Sequence, residues 1–301
     1  MDFRFAFWNC AMSPPGQKGM PSTDDMADTV EVIADLFAKE KIGFLALCEV
    51  NNESFEYLSN ALSGLPLLSQ YMDDKTSTGS KFDIGYFYDP SQVAIEHGRA
   101  HTGRLGTSSI KIAQQLHVVI KEENPSLLNI LVSHWPSQLQ TIAGEFRHEC
   151  SVGLRSFAKG LIDSKQQVIL MGDYNDEPYS HSLFRNMHAT NDRALVLSQP
   201  NYWLYNPYWK TLSARVAFSV DEQRHDFGTC YSKAGNRNTW SAVDQIIFSG
   251  DFLSVGPWYL EESATGVVLT DKIRAAIMNN KHCFDHMPVI GCIRKKEAPH
   301  V

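Results

Sequence analysis

The chain has 301 residues, 43% of them apolar types and 20% charged, with 19 Gly and 13 Pro. That supports a large core and excludes bulk disorder and fibrous repeats. Lys and Arg number 27 against 34 Asp and Glu, a formal charge of −7. Such a chain is no polybasic wrapper of nucleic acid, and a polyanion needs a cation or a local basic patch to approach it.

Residues 3–8 (FRFAFW) alternate and predict a half-buried strand. Ser22 and Asp25 resemble a capping box ahead of a helix whose apolar stripe is Val30, Ile33, Ala34 and Phe37. Residues 44–50 read as a buried strand that ends in a carboxylate, Glu49. A short helix is expected over 54–62, and strands over 82–88, 116–120 and 127–132. The last of these runs straight into Ser133-His134-Trp135-Pro136. Phe146, Cys150, Leu154, Phe157 and Leu161 keep one face of a long helix. Residues 168–171 form a strand leading into Gly172-Asp173-Tyr174-Asn175. Residues 185–240, rich in Asn, Pro and aromatics, read as mostly loop. A strand over 243–248 begins beside Asp244, and a last one over 288–293 follows Asp285-His286. No repeat, heptad or linker divides the chain, so one α/β domain over residues 1–301 is expected.

The apolar runs are too short to span a bilayer, and no secretory leader is evident at the N-terminus. A cytoplasmic protein without stable membrane association is the expectation. None of the six cysteines forms a C-x-x-C pair. They read as reduced thiols, with one or two disulfides if the protein is exported.

One regularity points to function. Asn9, Glu49, His134, Asp173, Asn175, Asp244, Asp285 and His286 all fall at the ends of apolar strands. Strand ends gather at a sheet rim, where side chains from distant sequence converge. Taken singly, each has an ordinary reading. Glu49 serves as a solvated edge charge, His134 as a packed turn residue, residues 172–176 as a turn, and Asp285-His286 as a loop pair. Asp244, leading directly into a buried strand, needs a partner. Together the carboxylates and amides form a hard donor set suited to Mg²⁺, or Mn²⁺ or Ca²⁺, rather than Zn²⁺. A divalent cation would also let a phosphate approach these acidic groups.

These residues resemble the endonuclease/exonuclease/phosphatase family, the deoxyribonuclease-I-like fold. The resemblance is carried, in order, by Trp8-Asn9, Cys48-Glu49-Val50, Ser133-His134-Trp135-Pro136, Gly172-Asp173-Tyr174-Asn175, Val243-Asp244-Gln245 and Phe284-Asp285-His286-Met287-Pro288-Val289. It implies a four-layer αββα sandwich of two mainly antiparallel sheets. It also implies roles. Glu49 is the principal metal-binding carboxylate, with Asn9 and Asp285 beside the ion. Asp173 positions or deprotonates the attacking water, and Asn175 contacts the phosphate. His286 contacts the scissile phosphate and is oriented by Asp244. His134 is the second histidine of the nuclease-like and some lipid-acting branches, with Asp83 as its candidate acidic partner. The sequence departs from the family pattern in carrying Phe284 where Ser is common, and in the bland surroundings of Gln245.

The implied activity is metal-assisted phosphoester hydrolysis by in-line attack of water. The two histidines favour a nuclease acting on DNA or RNA. Arg237 and Trp240, in the loop before Asp244, offer a cation and an aromatic to such a substrate, and Arg104 and Lys111 extend a basic rim. The alternatives are a phosphatase or phosphodiesterase acting on a lipid headgroup or other small phosphoester, and a non-catalytic module that kept the fold.

Overall fold

The computed structural model describes residues 1–13, 21–72, 74, 75, 77, 79, 81–137, 143–213, 227–233, 238–254 and 256–296. The first half runs β1 (Asp2–Asn9), α1 (Thr23–Ala38), β2 (Phe44–Cys48), α2 (Asn52–Ala61), β3 (Leu68–Tyr71) and β4 (Ile84–Tyr88). A long hairpin follows, β5 (Val93–Leu105) and β6 (Ser108–Ile120), then β7 (Ser126–His134) and α3 (Ala143–Asp163). Next come β8 (Val168–Asp173), β9 (Ala189–Thr190), α4 (Arg193–Ser198), β10 (Leu204–Tyr205), β11 (Cys230–Tyr231) and β12 (Trp240–Ser241). The chain closes with β13 (Asp244–Ser249), β14 (Trp258–Leu260), β15 (Gly266–Val267), α5 (Asp271–Met278) and β16 (Val289–Lys295).

One sheet has the order β14-β16-β1-β2-β4-β3, with β15 on β16; the other has the order β5-β6-β7-β8-β13-β10-β9. Pairing is mainly antiparallel; β1–β2, β7–β8 and β9–β10 are the parallel pairs. Phe3, Phe5, Phe7, Phe44 and Tyr86 of the first sheet share one buried cluster with Leu116, Val118, Ile130, Ile169, Met171 and Phe248 of the second. The outer face of the first sheet, through Trp8, Leu45 and Leu47, packs on Val32, Ile33 and Leu36 of α1, Phe55 and Leu58 of α2, and Ile273 and Ile277 of α5. The outer face of the second, through Leu131, Leu170 and Ile247, packs on Cys150, Leu154, Ala158 and Ile162 of α3. Helix, sheet, sheet and helix layers make the four-layer sandwich.

Several sequence expectations shift for identifiable reasons. The alternating β1 is buried on both faces rather than one, because helices cover the side carrying Ala6 and Trp8. Ser22 and Asp25 do form a reciprocal capping box. The buried stripe of α1 is centred on Val32, Ile33 and Leu36, however, with Val30, Ala34 and Phe37 only partly buried at its margin, where α2 packs alongside. The helix expected over 54–62 starts earlier, at Asn52, because Asn51 caps it by accepting the Ser54 N–H at 2.8 Å. Residues 116–120 are the end of a far longer hairpin. Its outer half alternates toward solvent and so lacks an apolar run. No helix among the described residues is long and apolar enough to cross a membrane.

Candidate active site

Sheet register assembles the site. Parallel pairing of β7 with β8 sets His134 beside Asp173, and antiparallel pairing of β8 with β13 sets Asp244 on the other side of Asp173. Gly172 permits this: a Cβ there would lie 2.1 Å from the Ser133 carbonyl oxygen of the neighbouring strand. In the other sheet, parallel β1 and β2 end side by side, Asn9 opposite Cys48. The two rims are joined directly, since Asn9 Nδ2 donates to Asp173 Oδ2 at 3.1 Å.

Three site residues hold left-handed backbone: Glu49 (φ 56°), Asp83 (φ 51°) and Asn175 (φ 51°). A non-glycine residue held in this region costs on the order of 1 kcal/mol or more, and such strain clusters at functional sites. Glu49 thereby ends β2 at Cys48 and leaves the pleat, with Oε1 3.5 Å from His134 Nε2. Asn175 turns so that its N–H donates to Asp173 Oδ1 at 2.9 Å and its Nδ2 donates to the Trp135 carbonyl at 2.9 Å.

Two histidine–carboxylate pairs flank Asp173. His286 Nδ1 bonds Asp244 Oδ2 at 2.8 Å, which leaves Nε2 3.9 Å from both Asp173 Oδ2 and Asp285 Oδ1. Asp244 is fully buried. Its Oδ2 also accepts from Thr229 Oγ1 at 2.8 Å, and that same hydroxyl accepts the Asp244 N–H at 2.9 Å. The His286 segment is fixed in turn: Trp8 Nε1 donates to its carbonyl at 3.1 Å, the Tyr231 N–H of β11 donates to the Asp285 carbonyl at 2.7 Å, and the Met287 N–H donates to the Thr229 carbonyl at 2.7 Å. Phe284, the departure from the family pattern, packs edge-on against Trp8 at 4.9 Å. In the second pair, His134 Nδ1 meets Asp83 Oδ2 at 3.0 Å, and Lys111 Nζ binds the other Asp83 oxygen.

Charge follows from these contacts. Burial would push His134 down, but Asp83 and Glu49 raise it to about 10, so it is an imidazolium at neutral pH. Burial opposes the charge on His286 too, yet Asp244 and the surrounding acids hold it well above the ordinary range. Burial alone would raise Glu49, but His134 and His286 keep it below the usual carboxylate range. Asp173 is raised by burial and by the charge of Asp244 across the strand pair. Asp285 is raised by burial, with Glu49 adding to it and His286 opposing.

The structure therefore brings Asn9, Glu49, His134, Asp173, Asn175, Asp244, Asp285 and His286 to one rim. Asn9 is anchored on both sides: its Oδ1 accepts the Ala11 N–H at 3.1 Å and its amide group bonds Asp173 and Glu49. It thereby bridges two carboxylates of the rim. Glu49 and Asp285 bring two further carboxylates to this rim and repel one another, and Asp173, Asp244 and His286 offer ligand atoms within 4.8 Å of one another, an oxygen-rich set compatible with a divalent cation. Other expectations are corrected. Lys111 is not a free rim cation but the partner of Asp83. Trp240 offers substrate no open face; it is 5% exposed and packs against Tyr231 with centroids 5.0 Å apart. Arg104 is exposed at the end of the β5–β6 hairpin, and Arg237 lies outside the described residues. Sequence reasoning missed Thr229, which lies just before the two-residue β11 in a stretch with no periodic signal.

A sandwich whose paired sheet rims gather carboxylates, amides and two charged imidazoles is the architecture of the deoxyribonuclease-I-like phosphoester hydrolases. The chain belongs to the endonuclease/exonuclease/phosphatase family, whose model matches residues 17–271. Asn9, Asp285 and His286 lie beyond that match and are joined to it by the fold. Solved structures agree on the fold. The human Nocturnin catalytic domain with bound sulfate superposes with a TM-score of 0.58 at 15% identity, covering 98% of this chain and 95% of that one. TDP2 of D. rerio complexed with single-strand DNA product gives 0.58 at 12%, covering 98% and 99%. The mannosyl-6-phosphatase of Bacteroides thetaiotaomicron gives 0.56 at 16%, covering 97% and 99%. No curated protein matches the sequence.

Proposed function

We propose that this protein is a divalent-cation-dependent nuclease that hydrolyses phosphodiester bonds of DNA or RNA, with residues 1–301 acting as one catalytic domain. The observation that carries the reading is the pair of charged imidazoles, His286 on Asp244 and His134 on Asp83, flanking the buried Asp173. Two fixed cationic donors on either side of a base suit a phosphoryl group whose charge builds on non-bridging oxygens.

Each group has a task. Asp173, raised by burial, has the basicity to take a proton from a water molecule at near-neutral pH. The backbone N–H of Asn175 fixes the Asp173 carboxylate, and its side-chain amide is held for contact with the phosphate. His286 is held by Asp244 with its proton on Nδ1, and Nε2 donates to a phosphoryl oxygen. His134, charged by Asp83 and Glu49, donates from the opposite side. Glu49 and Asp285 would hold the Mg²⁺, Mn²⁺ or Ca²⁺ ion, which supplies neutralisation of the phosphoryl charge. No covalent enzyme intermediate is needed.

A substrate panel tests this. With Mg²⁺ or Mn²⁺, the expected result is chelator-sensitive cleavage of plasmid, single-stranded DNA or RNA. Release of phosphate or headgroup only, from monoesters or sphingomyelin, would move the assignment to a small-phosphoester hydrolase. Inertness toward every substrate would leave a non-catalytic module.

A further inference from the structure

A second cluster of metal-binding atoms lies beside the catalytic rim, between α1 and the segment that leads into Asp285-His286. Asp25, His282 and Cys283 each offer one atom, all within 4.8 Å of one another. Asp25 is 6% exposed, and only 8% of the His282 side chain is exposed. The donor set differs in kind from that of Glu49 and Asp285. It combines a carboxylate, an imidazole and a thiol, the mixture that suits a borderline ion such as Zn²⁺ rather than Mg²⁺.

The surroundings of His282 point the same way. Its Nε2 lies 3.0 Å from Asp28 Oδ2, the outer carboxylate contact that orients a metal-binding imidazole and frees its other nitrogen. That other nitrogen, Nδ1, lies 3.2 Å from Asp25 Oδ1 and also faces the Phe284 N–H at 3.1 Å. One ring nitrogen cannot donate to Asp25 and accept from Phe284 together. With the proton on Nε2, the Nδ1 lone pair faces the Asp25 oxygen, an arrangement a cation between them would resolve. Cys283 is anchored in place, its N–H donating to Asp25 Oδ1 at 3.1 Å. Its thiol sits at 4.0 Å from the Cys10 carbonyl, one residue past Asn9.

We propose that Asp25 Oδ1, His282 Nδ1 and Cys283 Sγ form a transition-metal site of the Zn²⁺ class, separate from the hard-ion site of Glu49 and Asp285. Binding takes the Nδ1 lone pair from the Phe284 N–H and displaces the Cys283 proton to solvent; no electron is transferred. A bound ion would tie the first turn of α1 to the residues immediately before Asp285 and His286. The inference stands whether or not the protein is a nuclease.

The test is titration of the intact, metal-free chain with Co²⁺ alone, read by absorption. Cobalt in the proposed site gives a near-ultraviolet thiolate charge-transfer band that saturates at one equivalent and is bleached by Zn²⁺. Cobalt at Glu49 and Asp285 has no sulfur ligand and gives no such band. Cys283→Ser should abolish the band, Cys230→Ser should leave it, and Asp28→Asn should weaken binding about ten- to a hundredfold. Should Cys283→Ser fail to fold by circular dichroism, His282→Gln makes the same prediction. A wild-type chain without the band, or a band that survives Cys283→Ser or disappears with Cys230→Ser, overturns the proposal.

Discussion

The two histidine–aspartate pairs are built alike and supported differently. His286 and Asp244 sit on a neutral prop: Thr229 supplies one hydroxyl, the pair is buried, and no ammonium or guanidinium touches it among the described residues. His134 and Asp83 sit in a chain of alternating charge, with Lys111 beyond Asp83 and Glu49 beyond His134. A neutral prop sets geometry and adds no charge of its own, so the raised basicity of His286 comes chiefly from Asp244. A charged chain fixes the protonation of its histidine over a wide pH range. We read both histidines as fixed positive charges, His286 set by one buried carboxylate and His134 shared between Asp83 and Glu49.

The largest expected effect is at the first pair. Asp244→Asn takes away the partner that sets the His286 tautomer and should cost about 10²–10³ in kcat, the range for losing one transition-state donor. A drop of less than tenfold would break the distinction between the pairs. Asp83→Asn should cost less, roughly ten- to a hundredfold at neutral pH, as for loss of a hydrogen bond to a charged group. It should also bring a titration of His134 into the neutral range, read by NMR of the imidazole. In the parent chain that titration belongs near pH 10.

The same pair sets a stability window. His134 is raised from 6.5 to about 10 in the folded chain, so its contribution is complete below pH 6.5 and is lost as pH rises through 10. Asp83 and Glu49 are lowered from 3.8 and 4.5, so theirs is present above those values and lost as pH falls through the lower folded ones. Melting temperature against pH, with Asp83→Asn as the comparison, checks both edges. A smaller effect is expected of Thr229→Val, about 1 kcal/mol or roughly fivefold in kcat, with Thr229→Ser restoring the rate. A last effect is on stability rather than rate. Mg²⁺ relieves the mutual repulsion of Glu49 and Asp285 and should raise the melting temperature, by ~2.7 kcal/mol of stabilisation at a hundredfold excess over Kd. Glu49→Gln should erase that increment.

What the sequence made legible tracks how each residue is placed. Asn9, Glu49, His134, Asp173, Asp244 and His286 end or precede apolar runs, and a polar residue after such a run is visible as a break in pattern. Asp83 is legible only as a candidate, because its pairing depends on β4 and β7 being brought together across two sheets. Lys111 reads as a surface cation because nothing local reveals Asp83. Thr229 belongs to a loop region with strands of two residues, too short for any period to show. Trp240 misleads for the opposite reason. An aromatic beside polar residues reads as a binding face, while the fold spends it on packing.

The most direct measurement is cleavage of supercoiled plasmid in Mg²⁺ by the parent chain and by Asp173→Asn, with matched circular dichroism and melting curves. The account predicts nicking by the parent that chelator stops, and a loss of about 10²–10³ in rate for the variant with its fold intact. Equal nicking by both proteins would contradict it.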